Sequence, residues 1–448
     1  MASSIASAST TNASTGLGQG IDVNAFVQAA LANDQANITR LQNQQNAVNA
    51  QSKALAQITS DLSTLQDAVF TLKDPLGSLS AQTAVSSNSN VLTASAASSA
   101  VSGVHTITVN NLATTSSYFT APVATSTTTL GSGSFQIQVG NTAPVTVAVD
   151  SSNNTLDGLV STINNLDIGV RASVINDANG ARLALVSEST GAPGDLTVSS
   201  NTTGLTFTKA VTGTNASLTV DGVPISSTTN AVSGVINGVT LNLTSAAPNA
   251  PLTLTISPDT SKATDALNQF VSAYNTAIKD VNAQFAVAAD GIGGGPLEAD
   301  GSLREAQTSL LGAIAYSISG NSGIVNLQSV GISLNNDGTL SVDQGTLATK
   351  LSGNFSSVQA FLQSSTTGFA KNLNDVLNNL TDHATGTLGL DASGLTQTSQ
   401  SLGSSIADLQ ATLATKQQSL ILIYSQVNAT LEELPLLQAQ LSQQLASI

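Results

Sequence analysis

Residues 31–72 read LANDQANITRLQNQQNAVNAQSKALAQITSDLSTLQDAVFTL. Leu31, Ile38, Leu41, Val48 and Leu55 recur here at steps of three or seven, and Ile58, Leu62, Leu65, Val69 and Leu72 carry the pattern on after a three-residue step. This spacing gathers the apolar side chains into one stripe along a helix. Leu402, Ile406, Leu409, Leu413, Leu420, Ile423, Val427, Leu431 and Leu434 form a second stripe near the other end of the chain. A lone helix of this kind is marginal in water, because most helical stability comes from covering the apolar face. The two stripes are therefore predicted to meet in an antiparallel bundle.

Working outward, Asp22 or Asn24 suits the cap of a helix that starts near Val23, and Pro75 and Gly77 suit its end. The three-residue step between Leu55 and Ile58 would overwind a coiled coil locally. Residues 1–20 are rich in Ser, Ala and Thr and read as disordered, or as folding only on assembly. From about residue 80 to 260 the period falls to two. Strands are predicted at 104–109, 135–139, 145–149, 183–186, 218–220 and 252–256, with Asp221-Gly222 and Asn237-Gly238 as turn pairs. One helix interrupts them, carrying Leu156, Leu159, Val160 and Ile163, with Thr155 as its cap.

Helical spacing returns after Pro258 with Ala266, Leu267, Phe270, Val271, Tyr274, Ile278 and Val281. A Gly-rich loop covers 290–296, and a helix is expected over 303–317. A hairpin follows at 331–342 around Asp337-Gly338, then helices at 358–362, at 369–380 and from about 400 onward. The expected class is α+β multidomain: an antiparallel coiled-coil leg from both termini, a mixed α/β middle domain, and β-rich head domains inserted between. Expected boundaries are 1–40 for the N-terminal arm and leg helix, and 41–80 with 260–405 for the core. They are 81–125 with 200–259 for a first head, 126–199 for a second head, and 406–448 for the C-terminal leg helix.

At 448 residues the chain is too long for one core. Hydrophobic residues make up 41%, enough for packed domains, but only 9% are charged, against roughly a quarter in ordinary soluble proteins. Assembly should therefore rest on apolar stripes and amide hydrogen bonds more than on ion pairs. A net charge of -15 with no basic run excludes nucleic acid as an expected partner. No run of eighteen apolar residues is present, so membrane insertion is not expected. The first twenty residues lack the charged and apolar regions of a Sec-type signal peptide. Absent cysteine fits either a cytosolic protein that happens to lack thiols or an exported one that avoids disulfide chemistry, and the low charge, few aromatics and many small residues favour the second.

The chemistry-bearing inventory is thin. His105 lies in an alternating strand and His383 in a polar loop, and both read as structural. No C-x-x-C, H-E-x-x-H or G-x-S-x-G occurs. Gly16–Gly20 lacks the βαβ context of a dinucleotide loop, and Gly291–Gly295 lacks the Lys-Ser/Thr ending of a P-loop. Asp337 reads as a turn former, Asp343 as a helix start, and Glu432 and Glu433 as solvated neighbours on different sides of a helix. No cofactor, metal or catalytic residue is expected, and an enzyme acting on surface polymers has no acid, base or nucleophile to work with.

Several segments together resemble the flagellar filament cap family, the hook-associated protein 2 family. They are Gly16-Leu17-Gly18-Gln19-Gly20-Ile21-Asp22-Val23 ahead of a helical stripe, Asn230 through Leu243, Phe270 through Asn275, and Gly331 through Leu340. The stretch from Leu156 to about Val198 is similar to the insertion motif shared by flagellins and hook-associated proteins. The resemblance implies a ring-forming homo-oligomer at the distal tip of the flagellum that helps exported flagellin fold and insert. It implies export through the flagellar type III channel without a cleaved signal, and an export chaperone bound to the C-terminal helix at about 406–448. Filament-end or hook–filament junction proteins are further implied partners. A surface adhesin, or another hook-associated or flagellin-like axial protein, is the competing expectation.

The residues expected to meet other subunits or the filament are Ile21, Val23, Phe26, Val27, Leu31, Ile38 and Leu41 on the first leg helix. On the second they are Ile406, Leu409, Leu413, Leu420, Ile423, Val427, Leu431, Leu434 and Leu441. Pro435 departs from a regular leg. An interior proline removes a helical hydrogen bond at a cost of about 3 kcal/mol, so the helix is expected to bend there or to restart.

Overall fold

The Asp22 carboxylate accepts the Ala25 N–H at 3.0 Å and opens helix α1, Val23–Lys73. The computed structural model describes residues 22–286 and 293–446. Ile21, the Gly16–Gly20 motif and the first part of the Gly-rich loop, 290–292, lie outside them. Pro75 forces Asp74 into the extended region and ends α1. At 51 residues the helix is about 77 Å long.

The chain then enters the first head through β1, Gln82–Ser86, and leaves it through β15, Leu252–Pro258, which pairs antiparallel with β1 so that Gln82 faces Pro258. These two strands join β3, Gly103–Asn111, β11, Ala216–Val220, and β12, Val223–Ser227, in a five-stranded sheet ordered β1-β15-β3-β11-β12. The β11–β12 turn is Asp221-Gly222, both at positive φ, as a tight hairpin turn of that hand requires. A three-stranded sheet of β13, Ala231–Ser233, β14, Val239–Leu243, and β2, Leu92–Ala96, closes over it. Leu92, Ile107, Val109, Leu218, Leu241, Leu254 and Ile256 fill the space between.

The second head is inserted into the first in the same manner. The chain goes in through β4, Thr115–Thr120, and returns through β10, Phe207–Val211, again as an antiparallel pair. These strands sit in a sheet ordered β10-β4-β8-β7, with β7 at Val170–Asp177 and β8 at Gly180–Thr190. The sequence puts β4 within 81–125 and β10 within 200–259, the first head, but their ladder bonds hold them to β7 and β8. Side-chain alternation reports a buried face and not a pairing partner, which is why the boundary moves. A second sheet, β6-β5-β9, comprises Val145–Val149, Gly133–Val139 and Leu196–Ser199. Helix α2, Leu156–Asn165, is capped by Thr155 as expected and buries Leu156, Leu159 and Ile163 against Phe135, Leu183 and Leu185.

After β15 the chain is helical. The elements are α3, Thr260–Phe285; α4, Gly301–Ile314; α5, Leu327–Val330; α6, Gln344–Gly353; α7, Phe355–Gln363; and α8, Phe369–Thr381. A short hairpin, β16 at Ile332–Leu334 with β17 at Leu340–Val342, lies between α5 and α6. Phe270, Tyr274, Phe361 and Phe369 cluster at the centre, with the Phe270 and Phe369 rings edge to face at 5.5 Å. α1 joins this core from Leu55 to Leu72.

Helix α9, Thr387–Leu445, starts well before residue 400. Leu388 is fully buried, and a Cβ on Gly389 would lie 2.3 Å from the Asp382 carbonyl oxygen, so the α8–α9 turn packs tightly and the helix begins inside the core. α9 does not restart at Pro435: it runs through it as one 59-residue helix, about 88 Å long. The helix expected at 303–317 ends at Ile314 instead, where Ala315 leaves helical dihedrals.

Leu62, fully buried between α1 and the core, tests this packing. Leu62→Ala is expected to destabilise the core by about 2–5 kcal/mol, read as a lower denaturation midpoint; a loss under about 1 kcal/mol would contradict the burial.

Candidate assembly surface

The seam between α1 and α9 is antiparallel, and its register is pinned at several points. The Phe26 and Tyr424 rings lie 5.8 Å apart, and Lys416 Nζ is 2.7 Å from Asp34 Oδ2. Gln45 Nε2 donates to the Ser399 carbonyl at 3.1 Å, and Ser399 Oγ donates to Asn49 Oδ1 at 2.6 Å. Both members of the ion pair are around half exposed, so it contributes less than about 1 kcal/mol. Its value lies in setting register. A cavity of about 120 Å³ between Ile38, Leu409 and Leu413 shows that the seam is less tightly filled than the core.

Burial divides the expected contact residues into three groups. Val27, Leu31, Ile38 and Ile406 are buried inside this chain. They already face the partner helix, so the structure removes them from the surface offered to another subunit. Val23, Leu41, Leu413 and Leu420 are half-buried. Phe26, Leu409, Ile423, Val427, Leu431, Leu434 and Leu441 are exposed, between 38% and 61%. Ile21 lies outside the described residues. The spacing alone did not separate the first group from the third, because both follow the same helical period.

The register also shows where α1 stops covering α9. Phe26 sits opposite Tyr424, so the described part of α1 ends close to Val427. The stretch of α9 from there to Leu445 adds roughly another 25 Å. Along it Leu431, Leu434, Leu436, Leu437, Leu441 and Leu445 are exposed. Leu422, Leu436, Leu437 and Leu445 were not singled out from sequence, although they are among the most exposed apolar side chains of the helix. Flanking apolar residues off the main stripe were the available signal. Pro435 lies in this stretch, where its missing hydrogen bond falls on a solvated surface.

Elsewhere the polar groups are engaged structurally. His105 Nδ1 lies 2.7 Å from Asp221 Oδ2, and Asp221 also accepts the Thr106 N–H at 2.8 Å. The His105 bond is the main cause holding the Asp221 carboxyl below its usual range. Asp337 and Asp343 accept turn and helix-start hydrogen bonds from Thr339 and Thr346, which lower both. Among the described residues no three His, Cys, Asp or Glu side chains converge as metal ligands, and no helix is long and apolar enough to cross a membrane.

Comparison with known proteins bears on this arrangement directly. The family model for the flagellar hook-associated protein 2 N-terminus matches residues 19–116, and that for its C-terminus matches residues 213–434. The unmatched stretch between them holds the second head. The B-type flagellar hook-associated protein 2 of Pseudomonas aeruginosa is 32% identical over 426 residues, covering 88% of this chain and 89% of that one. The flagellar hook-associated protein 2 of Escherichia coli K12 is 28% identical over 396 residues, covering 78% and 80%. The crystal structure of the flagellar cap protein FliD D1-D2-D3 domains from Escherichia coli superposes with a TM-score of 0.57 at 29% identity, covering 77% of this chain and 99% of that one. With its helical ends, β-rich middle and matches at both ends of the chain, this protein belongs to the flagellar hook-associated protein 2 family.

Proposed function

We propose that the protein is a non-enzymatic cap at the distal end of the bacterial flagellar filament, where copies form a ring that promotes folding and insertion of exported flagellin. The observation that carries this reading is the apolar surface of α9 beyond Val427, exposed among the described residues, on a leg otherwise closed by α1. Its relatives are hook-associated proteins 2, and the superposed crystal structure is of a flagellar cap protein.

The energetics suit a cap that must shift as subunits are added. Six half-exposed leucines at about 1 kcal/mol each give roughly 6 kcal/mol when covered. Association alone costs about 4–15 kcal/mol in lost freedom. One leg-to-leg contact is therefore weak, and several legs held together in a ring bind through effective concentration. Few charges and weak contacts leave the ring free to step, while the space beneath it gives an emerging flagellin a place to bury its own helices.

In this reading the N-terminal arm with α1 up to about residue 40 and α9 from about 406 form the leg, the helical region around Phe270 forms the core domain, and the two nested β units form the heads. Phe26, Leu409, Ile423, Val427, Leu431, Leu434 and Leu441 are the contact residues. The C-terminal part of α9 is the seat for an export chaperone before assembly, and the protein acts outside the cell at the flagellar tip, near filament-end or hook–filament junction proteins, after export without a cleaved signal.

Replacing Leu431, Leu434 and Leu441 together by Ser is expected to leave the thermal unfolding of the core unchanged within about 0.5 kcal/mol. It should shift the sedimentation profile toward monomer and shorten filaments in cells that carry only this variant; normal filaments would refute the assignment of the α9 tail. Deleting residues 1–45 is expected to abolish capping with the heads still folded, checked by circular dichroism beside a motility assay. Filament growth on that truncated protein would count against the leg as the capping element.

A further inference from the structure

Inside the core, where α1 and α9 continue from the leg, two aspartates lie at one level on the two helices. The register that joins Asp34 to Lys416 and Asn49 to Ser399 brings Asp61 of α1 and Asp391 of α9 within about a turn of each other along the seam. Asp61 is 9% exposed; its Oδ1 accepts from Gln57 Nε2 at 3.1 Å, and its Oδ2 is buried with no donor. The group facing it across the α1–α3 contact is the Asp280 carboxyl. Asp391 Oδ2 is likewise buried with no donor, and the group facing it is Asp300, the cap of α4, whose Oδ1 accepts the Leu303 N–H at 2.8 Å.

Two carboxylates have no proton to share, so each pair forms a hydrogen bond only when one member is protonated. Burial first, and Asp300 second, push Asp391 up to about 6, and burial followed by Asp280 raises Asp61.

Asp67 lines the same groove as Asp61, and several other neighbouring charges are engaged elsewhere. On α4, Arg304 donates to the Glu298 carbonyl and lies over the Phe285 ring. On α3, Lys279 acts on Asp337. On α8, Lys371 and Asp375 pair with each other. In the α8–α9 turn, His383 acts on Asp382, which is held by Thr385. α7 carries no charged residue.

We propose that Asp61–Asp280 and Asp391–Asp300 form a collar of two proton-sharing pairs that fastens both leg helices to the core, and that loss of the protons loosens the leg. Both groups sit higher in the folded chain than in the unfolded one. Their stabilisation is complete below the ordinary carboxylate range and, for Asp391, is lost as pH rises through about 6. Mild acid therefore locks the leg and neutral solution frees it. This inference rests on the fold alone and is independent of the capping role.

The test is hydrogen exchange of amides in 55–64 and 385–394 of the full-length chain, corrected for intrinsic pH dependence. Wild type should exchange several-fold faster near pH 7.5 than near pH 5. The double variant Asp61→Asn, Asp391→Asn, whose amides donate without needing a bound proton, should show no such difference. Equal protection at both pH values in wild type, or a wild-type response in the variant, would overturn the collar. Carbon-13 titration of the aspartate carboxyls in wild type decides the matter without a variant. A carboxyl titrating near 6 that vanishes in Asp391→Asn or shifts in Asp300→Asn supports it, and aspartates that all titrate near about 4 refute it.

Discussion

The covering of the α1 stripe by α9 determines what the rest of the chain can do. Each fully buried leucine or isoleucine contributes about 1.5–3 kcal/mol, and α1 buries Val27, Leu31 and Ile38 ahead of the core and six more apolar residues within it. None of that is available to α1 alone. Within the core α3 and α8 cover it as well, but α9 arrives only after roughly three hundred residues, and closing so long a loop costs entropy that grows slowly with length. Anything placed between the two helices must therefore return the chain to the level at which it departed. The antiparallel pairs β1–β15 and β4–β10 meet that demand at two successive levels.

The same seam accounts for the division between stable and adaptable parts. In the core the apolar side chains of α1 are fully buried and the aromatic cluster locks α3, α7 and α8 together. Toward the leg end the burial thins, and past Asn428 every described residue of α9 is exposed. A helix so exposed is held by little beyond its own backbone bonds, and Pro435 removes one of those. A firm core carrying a weakly covered leg suits a subunit that grips its neighbours loosely.

Much of this was legible in the sequence where a periodic pattern was long or a capping residue clear. α1 with its Asp22 cap, α2 with its Thr155 cap, the Asp337-Gly338 hairpin and the start of α6 after Asp343 follow directly from local chemistry. Strands such as β1, β2 and β12 were not legible, because half-exposed runs of Ser, Thr and Ala carry almost no alternation in polarity. The start of α9 was hidden by Gly386 and Gly389, which weaken a helical pattern yet are required for close packing against Asp382. Which stripe residues face inward could not be read at all. That depends on the register between two helices far apart in the chain, and only the Asp34–Lys416 and Phe26–Tyr424 contacts reveal it.

The nested strand pairs have an evolutionary consequence. Neighbouring strands lie about 5 Å apart, so each crossing leaves two cut ends almost touching, with everything beyond it hung from that stem. Lengthening, shrinking or exchanging the hung cassette moves no atom on the near side. The outermost cassette, from β4 to β10, falls almost entirely in the stretch 117–212 that neither family model matches, while the regions on both sides are recognised. A lineage can thus diversify what its organelle presents to the outside world while inheriting the gripping machinery intact.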